Sequence, residues 1–163
     1  MYKTASLDTG FVIALLNGKD ERHGKALGYY KHFLENGYLM RISTIVISEY
    51  CVKGCIKSLP LDQIIPSPFN AIHAIKTGEC ASALLEQRSK WVVEKGERVF
   101  ILNDAKIMAQ AEADKSDVYV TFDTDSKRLY DILRSKKLVS FELWDANQPV
   151  ELRTGKIKFP EEE

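Results

Sequence analysis

A chain of 163 residues with 45% hydrophobic content is sized for a single compact core rather than for a string of domains. Lysine plus arginine and aspartate plus glutamate balance at 23 each, which excludes a strong overall field for gathering a polyanion and confines any nucleic-acid contact to local patches. No apolar run is long enough to cross a bilayer, and the start, MYKTASLD, lacks the charged and apolar regions of a secretion signal, so the expectation is a cytoplasmic protein without membrane contact.

In chain order, KTASLD reads as a short buried strand, followed after Asp8 by FVIALLN as a helix that Asn17 and Gly18 end. From Asp20 to about Asn36, residues Ala26, Tyr30, Phe33 and Leu34 recur at helical spacing, with Gly37 as the stop. YLMRIST has strand composition, and Ser43 or Thr44 is placed to cap a helix carrying Glu49, although TIVI also reads as a prolonged strand. On a helix, Glu49 shares a face with Ile45, Val52 and Ile56. A carboxylate on such an apolar stripe must be protonated, paired, metal-bound or extended to the rim.

Residues 59–78, with Pro60, Pro66, Pro68 and Gly78, read as an irregular connection or short helical turns. Glu79 to Lys95 predicts an amphipathic helix through Ala81, Leu84, Leu85, Trp91 and Val92. RVFIL is a short strand or an extended lead into NDAKIMAQAEA, which is helical by composition, with Asn103 as cap and Asp104 in the first turn. DVYVTFD reads as a buried strand, SKRLYDIL as the last clear helix and LVSFELW as a closing strand, before an acidic tail, Glu161 to Glu163. Two basic patches, Arg88, Lys90, Lys95 and Arg98, then Lys127, Arg128, Arg134, Lys136 and Lys137, read as solvated helix faces.

Cys51, Cys55 and Cys80 form an odd set without a CxxC pair, which suits a reduced compartment. Cys51 and Cys55 would face the same way on a helix. No recognised ligand spacing closes a zinc site with His23 or His73, so buried structural cysteines are expected.

Alternating strands and helices predict an α/β protein, a three-layer α/β/α sandwich with a mainly parallel central sheet. One domain is expected over residues 1–148, with 149–163 as a C-terminal extension. Ligands on such sheets bind at the carboxyl edge, which is where Asp8, Glu49, Asp104 and Asp123 fall. Each alone is explained by helix capping. Together, crowded carboxylates raise one another's pKa until a divalent cation removes the conflict, and an all-oxygen set suits Mg2+ or Mn2+ better than zinc. A calcium loop at Asp123 and Asp125 fails, because the glycine and final glutamate of that motif are missing.

LDTGFVIALLN, the later SEY, NDAKIMAQAEA and VYVTFDTDSKRL resemble, in order and over roughly the first 130 residues, the four motifs of the PIN-domain nucleases, among them the VapC-type toxins. The resemblance implies that Asp8, Glu49, Asp104 and Asp123 are the catalytic, metal-binding acids. It adds Asp125 as an acidic neighbour at the metal and Thr121 and Thr9 as supporting hydroxyls. Asp117 matches an acidic position of some members, with a turn role as the alternative, and Glu112 and Asp114 are left as solvated helix residues.

The implied activity is metal-dependent cleavage of single-stranded RNA by in-line attack of water, leaving a 5′-phosphate and a 3′-hydroxyl. A metal ion makes hydroxide available near neutral pH and offsets charge on the phosphate, so carboxylates suffice and His23, His32 and His73 are not needed as bases. The implied partners are an antitoxin peptide and a second copy of the chain in a homodimer. The long stretch between Glu49 and Asp104 and the tail beyond Trp144 depart from compact toxins, leaving an RNA-processing nuclease without toxin role as the nearest alternative. A non-cleaving RNA- or protein-binding module is another. A dehalogenase-type phosphatase requires Asp-x-Asp after the first strand, and Asp8-Thr9-Gly10 lacks the second carboxylate.

Overall fold

The computed structural model describes residues 2–87 and 97–155. Arg88, Lys90, Trp91, Val92, Lys95 and the acidic tail lie outside that range, as does the Arg98 side chain. Among the described residues are five strands, β1 (Thr4–Leu7), β2 (Leu39–Ser43), β3 (Ile64–Ser67), β4 (Val118–Thr121) and β5 (Glu142–Asp145). The helices are α1 (Thr9–Leu16), α2 (His23–Glu35), α3 (Thr44–Tyr50), α4 (Ala71–Glu86), α5 (Glu97–Ala113), α6 (Thr124–Ser135) and α7 (Val150–Thr154).

All strand pairs are parallel, in the order β3-β2-β1-β4-β5. From β1 the chain winds outward through β2 to β3, then returns to the other side of β1 as β4 and continues to β5. The switch point is therefore between β1 and β4, where a crevice forms outside the carboxyl ends. Helices α1, α2 and α3 pack together, as do α4, α5 and α6, giving the expected three-layer sandwich. β4 is buried along its whole length, as its apolar run requires, while α1 buries Phe11, Val12, Ala14 and Leu15 and α6 buries Ser126, Leu129 and Leu133 at helical spacing. Val150, at the head of α7, joins the same core, and its side chain faces the position a Cβ on Gly28 of α2 would take.

Several expectations are corrected. The segment read as irregular contains β3, an edge strand in which only Ile64 is buried; its pairing comes entirely from β2, and the edge position tolerates Pro66. α4 begins earlier than expected because Asn70 caps it, accepting from the Ile72 and His73 amides while the Asn70 amide donates to His73 Nδ1. RVFIL is helical, so α5 starts at Glu97 and Asn103 is no cap; Asp104 lies well inside the helix, beyond reach of the first-turn dipole.

The helix after β2 ends at Tyr50, so the stripe joining Glu49 to Val52 and Ile56 does not exist: Val52 is 77% exposed and Ile56 belongs to a separate 3-10 turn. Gly54 turns the chain there against the Tyr50 ring, which would lie 2.5 Å from any added Cβ. The turn also leaves Cys51 and Cys55 exposed, and only Cys80 is buried.

Candidate active site

Asp8 follows β1 at the N-cap position of α1, yet its side chain makes no capping bond. The β1–β4 register, continued by the Asp8 amide donating to the Val120 carbonyl at 3.1 Å, brings it beside the end of β4. There Tyr119 Oη donates to Asp8 Oδ1 at 3.1 Å and Thr121 Oγ1 donates to Oδ2 at 2.7 Å. Asp8 is buried, and that burial raises its pKa more than the two hydroxyls lower it, with the charge of Asp123 adding to the rise.

Glu49 comes from α3, which is anchored by Ser43: its Oγ accepts from the Ile45 amide at 3.0 Å and donates to Gln110 Oε1 at 2.7 Å. Both Glu49 oxygens are held, Oε2 by Thr9 Oγ1 at 2.5 Å and Oε1 by Asn103 Nδ2 at 2.9 Å. Asp123 caps α6 through the Asp125 amide at 2.9 Å, and the Asp123 amide in turn donates to Thr121 Oγ1 at 2.9 Å. Thr121 thus ties Asp8 to Asp123, and Thr9 ties the first motif to Glu49.

Asp104 receives no hydrogen bond from the described residues. Its carboxyl is pushed up to about 8, first by burial and then by the charges of Asp8, Asp123, Glu49 and Asp125. The other four acids named from the sequence therefore all lie near enough for their charge to act on Asp104. Asp125 stands at the exposed rim, 67% exposed and paired with Arg128 at 3.2 Å. With the side chains as they stand, no three Asp, Glu, His or Cys groups among the described residues are close enough to share an ion.

The donor chemistry still fits a hard cation. The acids offer only oxygens, their partners among the described residues are neutral hydroxyls and amides except at Asp125, and no cation among those residues lowers the pKa of Asp104.

Asn103 and Tyr119 belong to this constellation in addition to the residues that the four motifs mark. Tyr119 lies two residues before Thr121 on β4, so strand alternation puts both hydroxyls on one face, a signal present in the sequence. Asn103 was read as a cap because the true start of α5 was missed.

Other acids have different work. Asp117 accepts from the Thr4 amide at 2.7 Å and the Thr4 hydroxyl at 3.1 Å, joining β1 to the start of β4 at the amino edge. Asp114, expected to be solvated, accepts from Ser67 Oγ at 2.7 Å and pairs with buried His73 at 3.1 Å; Glu112 accepts from the Ser140 amide. A cavity of about 920 Å3 opens at the amino edge, near Lys3, Tyr38, Asp117 and Glu142, and none of the five clustered acids lines it.

A parallel five-stranded sheet of this order, sandwiched by helices, is a fold shared with solved VapBC and VapC structures. Solved structures similar to it include the VapBC2 complex of Rickettsia felis bound to a DNA fragment from its promoter, at 20% identity over 87% of this chain and 99% of that one, TM-score 0.59. DNA-bound VapBC from Salmonella typhimurium matches at 20% identity over 88% of this chain and 99% of that one, TM-score 0.53. VapC20 of Mycobacterium tuberculosis, a sarcin-ricin loop cleaving toxin, matches at 18% identity over 76% of this chain and 93% of that one, TM-score 0.51. No protein-family model and no curated protein matches the sequence. At these identities the likeness is one of fold.

Proposed function

We propose that this chain is a metal-dependent endoribonuclease that cleaves single-stranded RNA by attack of water on the phosphodiester, and that it is the toxin of a toxin–antitoxin pair. The observation that carries the reading is Asp104, a buried carboxyl pushed up to about 8 first by its burial and then by the charges of four other acids brought near it from across the chain. Pure structure gains nothing from such crowding, whereas a hard cation would relieve it.

Asp8, Glu49, Asp104 and Asp123 would hold Mg2+ or Mn2+, with Asp125 at the rim; when bound, such an ion acidifies water and offsets charge on the phosphate. The chain's own part is to hold the acids. Tyr119 and Thr121 fix Asp8, and Thr9 and Asn103 fix Glu49, and from these held positions the side chains would close on an ion by changes of rotamer. The toxin role, with an antitoxin peptide as partner, a homodimer as the working form and the cytoplasm as the place of action, draws support from the likeness to VapBC structures.

The test is incubation of the purified protein with single-stranded RNA in Mg2+ or Mn2+, in chelator, and as Asp8→Asn and Asp104→Asn. Cleavage that needs metal and both acids is expected; cleavage indifferent to all of these overturns the assignment. The hydrogen bonds already occupying Asp8 and Glu49 favour a second reading, a PIN-fold module that binds without cutting. RNA or metal binding with no cleavage selects it.

A further inference from the structure

A cation stands beside the acidic edge with no part in the roles above. Arg22, just before α2, lies over the ring of Phe122, its guanidinium carbon 5.3 Å from the centroid. Phe122 stacks on Phe11 at 5.9 Å and stands between Thr121, the end of β4, and Asp123, so this guanidinium is at the carboxyl edge of the sheet. Asp20 fixes its plane, accepting from Nε at 2.9 Å and Nη2 at 2.7 Å. That pairing leaves Nη1 with no hydrogen bond to the described residues, on a side chain 37% exposed.

Local structure does not demand this charge. Asp20 holds the turn through the Arg22 amide at 2.9 Å, a bond any residue at position 22 would supply, and an aliphatic side chain would cover Phe122 as well. What arginine adds is a positive group, held by a ring and a carboxylate, where a polyanion must approach several negative charges. The other cations of this edge are differently placed: Arg128 spends its Nη1 on Asp125 and is 71% exposed, and Lys106 reaches towards Asn103 at 3.4 Å.

Resting on the nuclease reading, we propose that Arg22 is a substrate-binding residue that takes a phosphate of the single-stranded RNA next to the one cleaved. Phe122 and the oxygen bonded to Nε, which an amide side chain at position 20 would also supply, hold the guanidinium in place for it, while the negative charge of Asp20 competes with the phosphate. A planar donor fixed in this way loses little freedom when it meets a phosphate, and the charge offsets part of the repulsion between strand and acids.

The test uses anisotropy of a labelled oligouridylate in Ca2+, which supplies the charge of a divalent ion without the octahedral geometry of Mg2+. Arg22→Met, which keeps the cover on Phe122, is expected to weaken binding several-fold and to reduce the salt slope by about 0.7, one phosphate on a single strand. Asp20→Asn removes the competing carboxylate and is expected to tighten binding.

Opposite effects on binding from two variants that both break the same ion pair, and so lower the thermal midpoint together, separate substrate contact from support of the fold. If the wild type binds RNA and both variants bind it alike or shift the same way, Arg22 is only a turn clamp and the proposal falls while the nuclease reading stands. If the wild type shows no salt-dependent RNA binding, both fall.

Discussion

At the scale of the residue, the site is a balance between burial, which drives carboxyls to hold protons, and hydroxyl or amide donors that favour their ionised form. Asp104 has no donor among the described residues and shows the consequence. Its pKa of about 8 in the folded chain lies above the ordinary 3.8, so between those values the folded state binds a proton that the unfolded state has lost. Metal-free stability contributed by this group is therefore full below about pH 4 and is lost as pH rises through about 8. Asp8 shifts in the same direction. Asp104→Asn is expected to raise the thermal midpoint of the metal-free protein at pH 8 and to leave it little changed at pH 4. A variant no more stable than wild type at pH 8 would mean that the acids do not crowd.

Among the elements, α3 decides how Glu49 is presented. It is short, and Ser43 at its start both caps the Ile45 amide and reaches Gln110 of α5, so one hydroxyl sets the helix end and its distance from the helix bearing Asp104. Ser43→Ala is expected to cost about 1–2 kcal/mol in urea unfolding through the lost cap and an orphaned buried amide, and to lower RNA cleavage more than RNA binding. An unchanged cleavage rate would show that Glu49 is positioned by Thr9 and Asn103 alone. The same element explains a misreading. TIVISEYCVKGCI has helical spacing throughout, but Gly54 closes a turn on the Tyr50 ring, and a turn made by a ring packing on a glycine is a contact, not a local propensity.

For the whole molecule, the parallel sheet makes one edge electrostatically costly, so the metal binding proposed above would be linked to stability. A cation that binds the folded chain alone stabilises it by about 2.7 kcal/mol at a hundredfold excess over its dissociation constant. Mn2+ is expected to raise the thermal midpoint at pH 8, to do so less at pH 5 where Asp104 is already protonated, and to have no such effect on Asp8→Asn. Equal shifts in wild type and variant would place the ion elsewhere. The net charge of zero fits this division: the molecule as a whole neither attracts nor repels RNA, and the local field of the acidic edge, its rim cations and any bound metal decides.

The alternation of strand and helix was legible because a buried parallel strand such as VYVT and an amphipathic helix such as α6 carry their burial in their own residue pattern. With it came the edge on which Asp8, Glu49, Asp104 and Asp123 fall. β3 was not legible, since four residues with a proline and one buried side chain become a strand only against β2. Nor were Asn103 on Glu49 and Arg22 over Phe122, which join positions far apart in the chain. Periodicity reports which way a side chain faces, whereas what it meets depends on strand register and helix packing, and those exist only once the chain has closed on itself.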